Sequence, residues 1–136
     1  MFFFVDFDKE ALEIAKMNIS KVKSEDYKLG KIDIIHRDVE KLDIKVDAVF
    51  QNPPFGTKER HKDSLFLKKA LEVAPVVYSF HKSETKAFLH KLSKENNATI
   101  THVWNFKFPL KVAFDFHRRR IHRIDVSCFR FETSKL

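Results

Sequence analysis

The 136-residue sequence predicts an α/β fold: a mostly parallel sheet with helices on its faces and an antiparallel strand pair at its carboxyl-terminal end. Three observations carry this reading. Short apolar, aromatic-rich runs without helical period alternate with stretches that have an apolar stripe at helical period. The last third holds two long strand-like runs on either side of one loop, which read as an added antiparallel pair. The polar residues with the most chemistry fall just after the apolar runs, where open α/β sheets bind ligands.

Residues 2–6 read as a short, fully buried strand, apolar and aromatic. Asp8 can cap a helix running to about residue 23, with Ala11, Ala15, Ile19 and Val22 on one stripe. A polar loop through Gly30 leads to a second strand at residues 31–36. Residues 47–51 read as a third buried strand, stopped by Pro53 and Pro54. Residues 64–74 read as a helix with Leu65, Phe66, Leu67, Ala70 and Leu71 facing inward, ended by Pro75. Residues 76–80 form the next strand. Ser83 is placed to cap a further helix in which Phe88 and Leu92 share a face. Two long strands follow, at residues 99–108 and 122–131, with the loop PLKVAFDFHRRR between them. Trp104, Phe106 and Phe108 alternate and so belong to one face. No internal repeat, linker or low-complexity segment interrupts this order, so a single domain is expected over residues 1–136.

Composition sets the bounds. Apolar residues make up 43% of the chain and Phe occurs 15 times, a globular composition in which aromatic burial should dominate the core. No apolar run approaches the roughly 20 residues of a membrane span. MFFFV is too short for a signal peptide and meets acidic residues at once. The lone Cys128 lies inside an apolar strand pattern and reads as a buried core thiol, which suits a reducing cytosol. The histidines have no metal-ligand spacing, and His36, His81 and His102 read as strand-end or core residues, so no metal site is expected. Net charge is +7, with eight Lys/Arg against three Asp/Glu from Ala98 onward. That basic region points to a polyanionic partner, most simply nucleic acid.

The stretch QNPPFGTK, residues 51–58, carries the sharpest chemistry. Pro53 and Pro54 fix the backbone and remove two donors, leaving rigid, unpaired carbonyl acceptors nearby. The Asn52 amide adds another acceptor. Together they can hold a planar NH2 group by its two hydrogens while Phe55 stacks on the flat body beside it, a contact worth roughly 1–3 kcal/mol. Such an amine is a poor nucleophile because its lone pair is delocalised. Acceptors on its hydrogens favour electron density on nitrogen and stabilise the positive charge that grows as it attacks. The turn therefore suits an exocyclic nucleobase amine or a carboxamide.

With these residues in place the chain resembles a known family. NPPF after the third strand is similar to the signature of amino-directed, S-adenosylmethionine-dependent class I methyltransferases. DFDKEALEIAKMNI, RDVEKL, DAVFQNPPFGTK, FLKKALEVAPVVYSFHKSETKAFL and FPLKVAFDFHRRRIHRIDVSCFRF together resemble the methyltransferase-like protein 5 family, ribosomal RNA adenine-N6 methyltransferases with archaeal relatives. The resemblance covers nearly all of the chain. It implies a Rossmann-like class I methyltransferase sheet with helices on both faces. It also implies S-adenosylmethionine as cofactor, with Asp6 accepting from the ribose hydroxyls and Asp38 from the adenine amine, Val39 packing nearby, and Asp8 left to cap its helix. Asn52, Pro53, Pro54 and Phe55 would hold the target adenine, flipped from its stack. Arg118, Arg119 and Arg120 would contact phosphates, with Phe116 and His117 closing over the base and Lys58 and Arg60 meeting the backbone. The family further implies a small zinc-ribbon activator subunit that pairs along a sheet edge. Two other readings stay open: methylation of a protein glutamine amide, which uses a similar motif, and a non-catalytic RNA-binding remnant.

One feature departs from the family. The family opens with a strand and a glycine-rich loop at the centre of its sheet, whereas Gly30 and Gly56 are the only glycines here and neither sits in such a loop. Such a sheet is incomplete at the N-terminus and interrupted at its middle. The chain would then be the larger part of an enzyme with a separate N-terminal fragment, a rearranged protein whose Asp6 strand pairs directly with the NPPF strand, or a degenerate remnant. The first is expected, because three consecutive phenylalanines at positions 2–4 make little sense exposed.

Overall fold

The computed structural model describes residues 1–54, 62–112 and 120–134. The chain divides into two compact units, Met1–Asp43 and Ile44–Leu136.

In the first unit, β1 (Phe2–Asp6) pairs in parallel with β2 (Ile32–His36), Phe2 opposite Ile32 and Asp6 opposite His36. Helix α1 (Lys9–Ser24) makes the crossover. Its start is set by Asp8, whose carboxylate accepts from the amides of Glu10 and Ala11 at 2.9 and 3.4 Å. Leu12 is the buried residue of α1, and Ala11, Ala15 and Ile19 are half-buried. Val22 lies outside the stripe expected of it and is exposed.

The second unit holds a four-stranded sheet in the order β3-β4-β6-β5. Strand β3 (Ala48–Gln51) runs parallel to β4 (Val76–Lys82), with Phe50 opposite Tyr78 and Gln51 opposite Ser79. Strand β6 (Arg120–Thr133) runs antiparallel to β4 and to the edge strand β5 (Ala98–Val112). The pairing extends farther than the sequence suggests and takes in Pro109 and Arg120, which the sequence places in the loop. Proline is tolerated there because β5 is an edge strand and needs no second row of donors.

Helices α2 (Lys62–Val73) and α3 (Lys86–Glu95) cover one face of this sheet. Leu67, Ala70, Leu71, Leu89 and Leu92 pack with Val77, Phe129 and Phe131, all buried. Leu65, expected to face inward, is 38% exposed. At 100° per residue, the three consecutive positions 65–67 cannot all share one face, and Leu67, Ala70 and Leu71 take it. In α3 the inward face is Leu89, Leu92 and Ser93, which leaves Phe88 exposed. Ser83 does not cap α3. It opens a one-turn 3-10 helix, Ser83–Thr85, and Thr85 stands at the start of α3.

Two further expectations are corrected. Phe2 and Phe4 are 64% and 43% exposed, and Phe50 is 75% exposed, so neither β1 nor β3 is fully buried. Among the described residues each of these strands is paired along one edge alone. Their side chains alternate, and only Phe3 and Val5, or Val49 and Gln51, turn inward. Within the first unit β1 pairs with β2.

Phe129 and Phe131 join both helices to the sheet. Phe129→Ala should lower the free energy of unfolding by about 3–5 kcal/mol, while Phe88→Ala, on the open side of α3, should cost less than about 1 kcal/mol. Urea unfolding of the two variants checks this.

Candidate functional site

In the first unit the carboxyl ends of the parallel pair bring Asp6 and Asp38 together. The Asp6 backbone carbonyl accepts from the Arg37 amide at 3.0 Å, which ties the end of β1 to the residue before Asp38. His36 Nε2 lies 2.9 Å from the Phe7 carbonyl and fastens the same corner. Asp6 Oδ1 accepts from the Asp8 amide at 2.8 Å. Its Oδ2 has no partner among the described residues, and the side chain is exposed. Asp38 caps the one-turn 3-10 helix Val39–Lys41 through a bond from the Glu40 amide at 2.9 Å. Asp38 and Val39 are half-buried. The corner thus presents a free carboxylate oxygen, a second carboxylate and an apolar side chain. That donor set fits a ribose with vicinal hydroxyls next to a flat heterocycle carrying an amine.

In the second unit Asn52, Pro53 and Pro54 follow directly on β3. Pro53 is buried, while Asn52 and Pro54 are exposed. The Asn52 amide has no partner among the described residues. The turn is therefore anchored through a proline ring, with Asn52 open to solvent.

Behind this turn lies a buried polar row. Gln51 Nε2 donates to Ser79 Oγ at 3.0 Å, and Ser79 Oγ lies 2.7 Å from His81 Nε2. His81 is 1% exposed and Ser79 fully buried. Burial pushes the His81 pKa down to about 4. Its Nδ1 lies 4.0 Å from Asp63 Oδ2, a contact that favours the charged ring, but desolvation outweighs it. A second set continues across the sheet, where Ser127 Oγ donates to Asn105 Oδ1 at 2.6 Å and pairs with Ser83 Oγ at 2.6 Å.

The other face of the sheet is aromatic. The Phe50 ring stacks on Tyr78 at 4.7 Å and 4°. Tyr78 stacks toward Trp104 at 6.2 Å, and Trp104 on His102 at 5.5 Å. Arg130 lies over Tyr78 at 5.9 Å and donates from Nη1 to Thr101 Oγ1 at 2.7 Å and to Glu132 at 3.1 Å. Its bonds to the Tyr78 hydroxyl and to Glu132 hold its pKa above the usual value. Trp104, Phe106 and Phe108 share this face, as their alternation requires, and all are substantially exposed. Cys128 is buried, which raises its pKa and suits an inert thiol.

Phe55, Lys58, Arg60, Phe116, His117, Arg118 and Arg119 lie outside the described residues, and Arg120 enters only as the first backbone position of β6. The sequence reading names His81 as a core or strand-end residue and overlooks its partners, Gln51 and Ser79. The available signal is the pattern Ser79-x-His81 on an otherwise apolar strand.

No family model matches the chain. It is 35% identical to the uncharacterized protein MJ0284 of Methanocaldococcus jannaschii, over an alignment that covers 94% of this chain and 61% of that protein. It is 31% identical to the rRNA N(6)-adenosine-methyltransferase METTL5 of Danio rerio, over 93% of this chain and 61% of that one. The crystal structure of PH1948 from Pyrococcus horikoshii, a proposed RNA methyltransferase, superposes with a TM-score of 0.80 at 37% identity, covering 96% of this chain and 62% of that one. At 13% identity, magnesium protoporphyrin IX methyltransferase from Synechocystis PCC 6803 shares the fold alone, with a TM-score of 0.67. The fold is that of the class I methyltransferases. More closely, METTL5 rRNA N(6)-adenosine-methyltransferases are among the homologues of this chain, which spans about 61% of their length.

His81 makes stability depend on pH. Its pKa is lower in the folded chain than in the unfolded chain, so it favours folding fully above about pH 6.5. That contribution is lost as pH falls from there towards 4. Between pH 7.5 and 5 the loss from this one group should be about 2 kcal/mol. Urea midpoints at the two pH values should show it, and His81→Gln should remove that part of the difference.

Proposed function

We propose that this chain carries the core of an S-adenosylmethionine-dependent methyltransferase that modifies N6 of adenine in RNA, most simply ribosomal RNA. The observation that carries this reading is the Asn-Pro-Pro turn at the carboxyl end of β3, with its Asn52 acceptor free, in a homologue of METTL5 proteins.

The roles follow from the chemistry of each group. Asp6, through its free Oδ2, holds the ribose hydroxyls of the cofactor, Asp38 takes its adenine amine, and Val39 packs against the base. When bound, S-adenosylmethionine supplies a methyl group on a positively charged sulfur. The Asn52 side-chain oxygen and a carbonyl held by Pro53 and Pro54 accept the two hydrogens of the target amine, with Phe55 stacked on the base. As nitrogen attacks the methyl carbon, the carbon–sulfur bond would break and leave a neutral thioether; these acceptors would stabilise the positive nitrogen, whose proton is then lost to solvent. No strong base is required of the chain. Lys58, Arg60 and the stretch from Phe116 to Arg120 engage the RNA backbone and cover the base. A zinc-ribbon activator, and a separate segment bearing a glycine-rich loop, are the protein partners that this reading admits. Its setting is the cytoplasm, and no helix among the described residues is long and apolar enough to cross a membrane.

The test is methyl transfer to an adenine-containing ribosomal RNA fragment, with the chain alone and with those two partners added. Asn52→Ala should lower kcat by about a hundredfold or more with RNA affinity retained. Asp6→Ala should weaken cofactor binding by about tenfold. Arg119→Ala should weaken RNA binding and reduce its salt slope by about 1. Turnover unchanged by Asn52→Ala would overturn the reading.

A further inference from the structure

The buried row behind the turn links three side chains in sequence. Gln51 Nε2 can only donate, so Ser79 Oγ accepts from it at 3.0 Å. The Ser79 hydroxyl hydrogen is then free to donate, and the nitrogen in reach is His81 Nε2 at 2.7 Å. With His81 Nε2 as the acceptor of that hydrogen, the proton of a neutral imidazole stands on Nδ1. That Nδ1 is buried and unpaired, and it lies 4.0 Å from Asp63 Oδ2. Asp63 stands in the first turn of α2 and is itself held by the Ser64 amide on its Oδ1 at 2.9 Å.

The two ends of this row are informative. Gln51 is the residue immediately before Asn52. Asp63 is the second residue of α2, just after the stretch that begins with NPPF. A row of side chains reaching from Gln51 to Asp63 therefore spans the points where that stretch leaves the sheet and enters the helix. The register makes this possible, because Gln51 faces Ser79 across the ladder and His81 follows two residues on, on the same side. A merely apolar core would place Leu or Val at these positions. A buried histidine with an orphan N–H costs stability, and such a cost is common where side chains are held for function.

We propose that His81 is a positioning residue for the Asn-Pro-Pro turn: as a neutral imidazole protonated on Nδ1, it closes a Gln51–Ser79–His81 relay aimed at Asp63 and fixes the strand end from which Asn52, Pro53 and Pro54 leave. This rests on the adenine-binding reading of Asn52. The relay does not touch substrate. It sets the direction in which the peptide after Gln51 leaves β3, and so where the Asn52 acceptor points. The 4.0 Å between His81 Nδ1 and Asp63 is about 1 Å longer than a hydrogen bond, so a small movement of the first turn of α2 completes the row.

The test uses the whole chain, labelled with nitrogen-15. Long-range proton–nitrogen spectra at pH 7 should show His81 with Nδ1 protonated and Nε2 as a bare acceptor. Ser79→Ala removes the middle of the relay with a minimal change in volume. It should leave the chain folded, but speed hydrogen exchange of the Gln51 and Asn52 amides by about tenfold and shift the Asn52 side-chain resonances. Ser79→Thr, which restores the hydroxyl, should return both towards wild type. Methyl transfer to the ribosomal RNA fragment should fall by about tenfold in Ser79→Ala, with RNA affinity retained, and recover in Ser79→Thr. The proposal is overturned if His81 carries its proton on Nε2, or if exchange at Gln51 and Asn52 is the same with and without the Ser79 hydroxyl. A different outcome marks failure of the adenine reading. Methyl transfer is then unchanged by Asn52→Ala, while the exchange response to Ser79→Ala persists.

Discussion

Strand β4 is hydrogen-bonded along both edges, in parallel to β3 and antiparallel to β6, and the second unit depends on that double pairing. A strand held on both sides cannot slip by one residue without turning its whole apolar set to the wrong face. Val77, Ser79 and His81 are thereby committed to the helix-covered side, and Tyr78 and Phe80 to the other. The same register carries across the sheet. It sets Phe131 beside Val77 and Phe129 beside Ser79, where both rings are fully buried.

Burying polar groups among such rings is costly unless each is bonded. The second unit meets most of this requirement with short side-chain rows. Gln51, Ser79 and His81 Nε2 are bonded at one end, with His81 Nδ1 left unpaired, and Ser83, Ser127 and Asn105 at the other. Both rows lie near the carboxyl ends of β3 and β4, the side from which the Asn-Pro-Pro turn emerges. The polar interior and the candidate site are thus neighbours in register: Gln51 belongs to one and Asn52, the next residue, to the other.

The first unit reaches its site by a different route. Asp6, Asp8 and Asp38 are three carboxylates within a few residues of two strand ends, and backbone amides separate their roles. Asp8 spends its oxygen on the first turn of α1, and Asp38 caps a 3-10 turn. Asp6 bonds a single amide and keeps an oxygen free. The parallel pairing of β1 with β2 is what makes a shared corner of residues 32 positions apart in sequence.

Much of this was legible in the residues. The Asp8 cap, the strand stop at Pro53, the helix end at Pro75, the buried Cys128 and the shared face of Trp104, Phe106 and Phe108 all follow from local rules, because each depends on bonds or periodicity within a few positions. The chemistry of NPPF is local in the same way, since two prolines and an amide define acceptors wherever they stand. The tertiary structure decided the rest. Phe2, Phe4 and Phe50 read as buried because they are apolar, yet their exposure depends on what lies beside β1 and β3, which no short stretch encodes. Phe88 and Leu65 lost the inward face to neighbours with a better match to the sheet. The partnership of Gln51 with Ser79 is a matter of register between strands 28 residues apart. Side-chain chemistry and period are written along the chain; which group meets which across a ladder is settled only when the strands pair.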